Sequence, residues 1–177
     1  MNMRVILVYG SVTTKTEMVA KLIEEQLGDH LEKSVEVSEI EPADLKEYDL
    51  VIAGIPTWDV GELEYSWQDF YDNMDGQDYS GLHIAIFGLG DQDAYADTYQ
   101  DAMGILYDKF IECGAGGQIG FTSVDGHDHD ESKAQQGDQF CGLAIDEDNQ
   151  SNLTEERVND WCEELIQWIQ SKTEASV

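Results

Sequence analysis

The sequence predicts an α/β fold in which a parallel β-sheet carries helices on both faces. Three observations predict it. Strand-like and helix-like segments alternate five times, the pattern of consecutive strand–crossover–strand units. The main strand-like runs are continuously apolar rather than alternating, which marks strands buried on both faces. The chain has 177 residues, 41% of them hydrophobic, enough for one domain with a sizeable core. Neither an internal repeat nor a linker interrupts it, so residues 1–177 read as a single domain.

Arg4–Tyr9 (RVILVY) is the first strand. Thr16–Leu27 follows as a helix, with Met18, Val19, Leu22, Ile23 and Leu27 at helical spacing and Gly28 as its stop. Val35–Ile40 reads as a shorter strand and Pro42–Leu45 as a turn or helix start. Leu50–Ile55 (LVIAGI) is another buried strand, ended by Pro56. Leu63–Met74 is a helix with Trp67 and Phe70 inward. Leu82–Phe87 (LHIAIF) is the next strand, with His83 in a structural role. Asp97–Cys113 is a helix through Ala102, Ile105, Leu106 and Phe110, and Gln118–Phe121 starts a fifth strand. Leu153–Ser171 closes the chain as a helix capped by Asn152 or Thr154, with Val158, Trp161, Leu165, Trp168 and Ile169 on its apolar face. The pattern lapses between Thr122 and Phe140. That polar stretch is long for a plain connection and reads as an inserted functional or docking loop. Its HDHDE run, with His127 and His129, lacks a zinc ligand set and reads as solvated.

Charge is the outlying property. Nine Lys and Arg stand against 38 Asp and Glu, a formal net charge of −29. Nucleic acid and anionic membrane surfaces both require basic patches, so both are disfavoured as partners. A basic protein partner is favoured, with long-range steering of the encounter. The same charge also serves solubility in a saline cytoplasm, and composition alone does not divide the two readings. No apolar run has the roughly 20 residues of a membrane helix, and Arg4–Tyr9 lacks a signal-peptide cleavage pattern. The chain therefore reads as a cytoplasmic monomer. Cys113, Cys141 and Cys162 are odd in number and lack a C-x-x-C pair, which argues against a disulfide framework or a zinc site. They read as two buried thiols and one near the surface.

Ligands of an open parallel sheet bind beyond the carboxyl ends of the strands, where strand order reverses. Three loops leave those ends. The first, Gly10–Thr16, offers Ser11, Thr13, Thr14 and Thr16 hydroxyls, Lys15, and the free N–H groups of a helix N-terminus, which together suit a phosphate. It matches neither a P-loop nor a G-x-G-x-x-G loop. The second, Pro56–Leu63, carries Trp58, which either covers core or stacks on a planar ligand, and Gly61, which permits a peptide flip to positive φ. The third, Gly88–Asp97, carries two glycines for close backbone approach and a second aromatic plane, Tyr95.

The stretches YGSVTTKTE (Tyr9–Glu17), PTWDVGELE (Pro56–Glu64), FGLGDQDAYADTYQDAMG (Phe87–Gly104) and GLAIDEDNQSNLTEERVNDW (Gly142–Trp161) resemble, in order and spacing, those of the long-chain flavodoxins. The resemblance covers nearly the whole chain. It implies a three-layer flavodoxin-like fold with strand order 2-1-3-4-5, in which residues 122–140 are the insertion that separates long-chain from short-chain members. It also implies non-covalent FMN and one-electron transport without a catalytic acid, base or nucleophile. The phosphate would sit on Ser11, Val12, Thr13, Thr14, Lys15 and Thr16. Trp58 would stack on the inner face of the isoalloxazine and Tyr95 on the outer face. Pro56, Thr57, Asp59, Val60 and Gly61 would line the flavin edge, Leu89, Gly90, Asp91 and Gln92 the pyrimidine end, and Asp148 would reach the ribityl chain. The implied partners are basic redox proteins of the ferredoxin–NADP reductase type, and photosystem I in a photosynthetic source. Asp59, Glu62, Glu64, Asp91 and Asp93 would oppose full reduction of the ring and lower its potential. One departure stands out. The family's phosphate loop normally has Gly where Thr14 stands, and Thr would be strained there if that residue needs a positive φ. Two other readings remain open: an FMN-dependent NAD(P)H:quinone reductase of related fold, and a flavin-free receiver-type module. The second expects a phosphoacceptor Asp at the end of the first strand, where Tyr9 and Gly10 stand instead.

Overall fold

A computed structural model describes residues 2–10 and 14–175. The strand following the N-terminus, β1 (Val5–Tyr9), leads into helix α1 (Thr14–Leu27). Strand β2 (Lys33–Glu36) and a 3₁₀ turn at Pro42–Glu47 precede β3 (Leu50–Trp58). A two-residue strand, β4 (Glu62–Leu63), folds back on β3, and α2 (Tyr65–Asp72) follows. Then come β5 (His83–Leu89), α3 (Asp101–Glu112), the short strands β6 (Gly117–Gln118), β7 (Thr122–Ser123), β8 (Gln135–Gln136), β9 (Gln139–Phe140) and β10 (Leu143–Ile145), and the closing helix α4 (Thr154–Ala175). The principal sheet is parallel, in the order β2-β1-β3-β5-β10, with β4 appended antiparallel to β3 and β6 parallel to β5. This is the expected 2-1-3-4-5 arrangement, with β5 as the fourth strand and β6 and β10 as the fifth.

The core sits on both faces of this sheet, as period-two strand geometry requires. Ile6 and Val8 of β1, Val51, Ala53 and Ile55 of β3, and Ile84 and Ile86 of β5 point to one face. There they meet Trp67 and Phe70 of α2 and Ala102, Met103, Leu106 and Phe110 of α3. The intervening residues Val5, Leu7, Leu50, Ile52, Ala85 and Phe87 point to the other. They pack on Val19, Ala20, Ile23 and Leu27 of α1 and Val158, Trp161, Cys162, Leu165 and Ile169 of α4. Each fully buried aliphatic side chain of this kind stabilises by about 1.5–3 kcal/mol. Met18, expected inward, lies on the exposed side of α1, and Ile105 is only half-buried.

Several boundaries differ from the sequence expectation, each for a physical reason. Strand β3 does not end at Pro56 but runs through it to Trp58. Gly10 N–H donates to the Gly54 carbonyl (3.2 Å), so Pro56, two residues on, turns its missing donor to the side where β1 has already ended. Strand β2 stops at Glu36 and gives way to a 3₁₀ turn at Val37–Glu39. Helix α1 begins at Thr14 rather than Thr16, and α3 at Asp101 rather than Asp97, after the turns of residues 91–100. All three cysteines are buried, Cys113 included. Burial pushes the Cys141 and Cys162 thiols up to about 12.

The fifth strand is split. Gln118 of β6 lies opposite Ile84 and Leu143 of β10 opposite Phe87, so residues 119–142 leave and rejoin the sheet across a gap facing Ala85 and Ile86. The excursion forms its own antiparallel sheet, β7-β9-β8. It packs closely on its host. A Cβ at Gly104 of α3 would lie 2.4 Å from the Lys133 backbone, so only glycine permits that approach. The HDHDE run is solvated at Asp128, Asp130 and Glu131, as expected, but its two histidines are half-buried. The His127 and His129 rings sit 5.5 and 5.2 Å from that of buried Tyr99, and both also contact Phe140.

His127 Nδ1 lies 3.0 Å from the Tyr99 hydroxyl. Burial first, and then the charges of Arg157 and His129, push the imidazole down to about 4, against a weaker opposing pull from Asp146. The unfolded chain protonates His127 near pH 6.5, whereas the folded chain resists until about pH 4. The stability this group contributes is complete above pH ~6.5 and is lost as pH falls towards ~4. His127→Gln is therefore expected to reduce the decline of the urea-unfolding midpoint across that window. An unchanged slope would contradict the assignment.

Candidate functional site

The chain leaves β1 towards β2 on one side and later enters β3 on the other, so strand order reverses between β1 and β3. The carboxyl ends of β1, β3 and β5 lie side by side there, and the three loops anticipated from the sequence all emerge at this edge.

From the first loop, Ser11, Val12 and Thr13 lie outside the described residues. Thr14, Lys15 and Thr16 form the first turn of α1, whose backbone N–H groups have no partners within the helix. Thr14 is the first residue of α1, and helical backbone holds φ near −60°, so no left-handed strain is asked of the threonine there. The Thr16 hydroxyl is fully buried and has no hydrogen-bond partner among the described residues. An orphaned hydroxyl of this kind costs about 1–3 kcal/mol unless a ligand satisfies it. Lys15 Nζ pairs with the Asp148 carboxylate, and this bond, against a smaller effect of burial, raises the Lys15 ammonium above its usual range.

The second loop is a tight hairpin. Trp58 pairs with Glu62 and Thr57 with Leu63 across β3 and β4. Asp59 and Gly61 between them take positive φ, 44° and 82°. Trp58 is half-buried and its ring meets that of Tyr65 edge-on at 5.8 Å. Val60 is 72% exposed. A Cβ at Gly61 would lie 2.7 Å from Asp101 Oδ2, so glycine is required there by conformation and by space. Pro56 is buried in the strand, and the Thr57 hydroxyl accepts the Ala102 N–H (3.1 Å), which ties the hairpin to the start of α3.

In the third loop, Leu89 is buried in β5, and Gly90 N–H donates to Ile145 O at 3.1 Å. Asp91 Oδ1 accepts the N–H groups of Asp93 (3.0 Å) and Ala94 (2.8 Å) and the Asn149 amide (2.8 Å). Burial alone would raise this carboxyl, but these donors outweigh it and hold it below the usual carboxylate range. Tyr95, 43% exposed, stands beyond them with its N–H on Asp91 O. Gln92 does not face outward. Its backbone and side-chain nitrogens both donate to buried Asp146, and its Oε1 accepts the Asp128 N–H.

Sequence reasoning did not single out Asp146, Asn149 or Asp101. Asp146 is fully buried and Asp101 nearly so, with Asp101 Oδ1 accepting the Lys133 N–H at 2.7 Å. In so acidic a chain no local pattern separates a buried aspartate from the many exposed ones. Glu64, expected among the charges facing the ring, is instead fully buried as the cap of α2. Its carboxylate accepts the N–H groups of Ser66 and Trp67.

A doubly wound α/β sheet with a helix start and two aromatic side chains at its switch point is the arrangement in which open sheets bind their ligands. Residues 7–161 match the flavodoxin family model, and the chain belongs to that family. It is 44% identical over 165 residues to the flavodoxin of Nostoc sp., covering 93% of this chain and 96% of that one. It is 46% identical over 166 residues to the Synechocystis sp. flavodoxin, covering 93% and 97%. The crystal structure of Fusobacterium nucleatum flavodoxin bound to flavin mononucleotide superposes with a TM-score of 0.87 at 29% identity, over 93% of this chain and 98% of that one. A point variant of the same protein, also bound to flavin mononucleotide, gives 0.87 at 30% identity, over 97% and 98%.

Two substitutions test the loops. Thr14→Gly relieves no strain and is expected to leave flavin affinity within about threefold, lowering stability by at most ~1 kcal/mol through helix propensity. A tenfold gain in affinity would show strain after all. Gly61→Val forces a branched side chain to φ 82° against Asp101. It is expected to lower the thermal midpoint by an amount equivalent to about 1–3 kcal/mol, and calorimetry of the flavin-free protein reads this directly.

Proposed function

We propose that this chain binds FMN non-covalently at the β1–β3–β5 edge and carries single electrons at low potential between other redox proteins. The observation that carries the reading is the buried Thr16 hydroxyl, without a partner among the described residues, beside the first-turn N–H groups of α1, which have no partner within the helix. Such groups suit an oxyanion, and two crystal structures similar to this chain, both of Fusobacterium nucleatum flavodoxin, are bound to flavin mononucleotide.

The residues present fit the group. Thr14, Thr16 and the α1 N-terminus would hold the phosphate, together with Ser11, Val12 and Thr13. Lys15, already paired with Asp148, supplies a cation beside it without leaving a net positive site. Trp58 and Tyr95 would bracket the ring system and exclude water from it. Pro56, Thr57, Asp59, Val60, Gly61, Leu89, Gly90 and Asp91 form the rim between them. When bound, the flavin supplies the redox chemistry, and the protein supplies orientation and electrostatics. Asp91 is held ionised by its N–H donors. Asp59, Glu62 and Asp93 are exposed around the same edge. Together these carboxylates oppose added negative charge and favour a low potential. No acid, base or nucleophile is required of the protein.

The charge of −29 favours a basic partner. Basic redox proteins of the ferredoxin–NADP reductase type, and photosystem I in a photosynthetic source, fit this requirement. No helix among the described residues is long and apolar enough to cross a membrane.

Thr16→Val separates phosphate recognition from ring recognition. It is expected to weaken FMN binding by roughly tenfold or more, the range of a hydrogen bond to a charged group, while riboflavin, which lacks the phosphate, binds as before. Quenching of flavin fluorescence measures both. Equal affinity of the variant and the parent for FMN would remove the phosphate assignment.

A further inference from the structure

Asp146 is the most heavily coordinated carboxylate in the structure, yet it lies outside the flavin rim. It directly follows β10 and is fully buried. Its Oδ2 accepts the Gln92 backbone N–H (3.1 Å) and the Gln92 Nε2 (2.6 Å). Its Oδ1 accepts the N–H groups of Asp148 (3.1 Å) and Asn149 (3.0 Å). Asn149 Nδ2 reaches both oxygens, at 3.2 and 2.9 Å. Among the described residues no Lys, Arg or His forms an ion pair with it. A carboxylate buried without a cation is accommodated only where such donors replace water.

The donors belong to segments that would otherwise be independent. Gln92 begins the loop that presents Tyr95, and its Oε1 accepts the Asp128 N–H of the excursion. Asn149 Nδ2 also donates to Asp91 Oδ1, the oxygen that fixes the Asp93 and Ala94 N–H groups, and Asp91 O in turn accepts the Tyr95 N–H. Asp148, held by its own N–H, pairs with Lys15 in the first turn of α1. One carboxylate thus joins the outer aromatic loop, the excursion, and the pair that flanks the phosphate side.

We propose that Asp146 is a positioning residue for the flavin edge, acting through Gln92, Asn149 and Asp91 on Tyr95 and through Asp148 on Lys15. The proposal rests on the FMN reading above. Replacing the carboxylate by an amide substitutes a donor for an acceptor on one side. That would turn an N–H group towards Gln92 or towards Asp148 and Asn149, and loosen whichever segment it meets.

A double-mutant cycle tests it. FMN is titrated into the parent chain, Asp146→Asn, Tyr95→Ala and the double variant, following flavin fluorescence and the visible circular dichroism of bound flavin. Far-UV circular dichroism and the thermal midpoint establish that each apoprotein is folded. Asp146→Asn is expected to bind FMN roughly tenfold more weakly and to alter the visible dichroism. Tyr95→Ala should then cost less than about threefold in that background, against roughly tenfold alone, because the two act through one element. Additive losses, or parental affinity and dichroism in Asp146→Asn, overturn the proposal. If Asp146→Asn does not fold, Asn149→Ala replaces it in the cycle, with a loss of about threefold and the same non-additivity expected. Additivity there also overturns the proposal. A parent chain that binds no flavin overturns the functional reading, and this inference falls with it. Flavin binding with additive losses overturns this inference alone.

Discussion

The burial of β1, β3 and β5 on both faces is the constraint on which the rest of the molecule depends. Their side chains alternate between two packed cores, one under α2 and α3 and the other under α1 and α4. A strand with no exposed face cannot display a polar group along its length without leaving it dry and unpaired. Polar chemistry is therefore confined to the strand ends. At the carboxyl ends the chain departs in opposite directions from β1 and β3, and the helices that cover the faces leave the edge between them open. Each loop there inherits a rigid origin. The α1 start is fixed by β1, the Trp58 hairpin by β3, and the Tyr95 loop by β5.

The three loops are held in different ways, and the differences suit the proposed task. The phosphate side depends on free backbone donors, which need no side-chain order. The Trp58 hairpin stores conformational constraint at Asp59 and Gly61 and is tied down through the Thr57–Ala102 hydrogen bond. The Tyr95 loop relies on buried carboxylates that collect N–H groups. Asp91, held below the usual carboxylate range by its donors, stays ionised, so the structural solution also carries an electrostatic consequence. A unit negative charge placed about 8 Å from another, at an effective dielectric of about 20, costs about 2 kcal/mol. In the proposed electron carrier, the groups that order the outer wall also resist full reduction of what it encloses.

Much of this was legible in the sequence, and the parts that were not share a cause. Runs such as Val5–Tyr9 and Leu50–Ile55 announce two-sided strands, because no other structure buries every residue of a short β-branched run. The Ser/Thr-rich start of α1 and the two loop aromatics were legible for a similar reason. A residue type out of place in its segment implies a purpose. The continuation of β3 through Pro56 was hidden because proline breaks a strand only where its N–H would be used, and that depends on where β1 ends. The packing of the His127 and His129 rings depends on Tyr99 and Phe140, which are distant in sequence. Glu64 and Asp146 look like two of 38 acids until the fold shows what they cap. Local pattern records propensity and periodicity, whereas these residues are defined by partners far along the chain.

The split fifth strand explains why so polar an excursion is ordered at all. Residues 119–142 bury only Ala134, Phe140 and Cys141 among their apolar side chains, with Ile119, Phe121 and Val124 partly packed on the cores. Alone they would not offset the cost of ordering their backbone. They borrow order from the host instead. Asp130 and Glu131 N–H groups donate to Ala96 O, Lys133 to Asp101, and Asp128 to Gln92. Gln92 and Ala96 lie on the segment between β5 and α3 that carries Tyr95, and Asp101 is the first residue of α3. The dependence is mutual, since a hydrogen bond that orders the excursion also restrains the loop beneath it. A sheet with an unbroken fifth strand would leave residues 91–100 to be ordered by their own turns and by Asp146. In this chain the excursion adds a second layer over that loop, so the stiffness of the outer aromatic wall is shared between a buried charge and a polar insertion rather than resting on core packing.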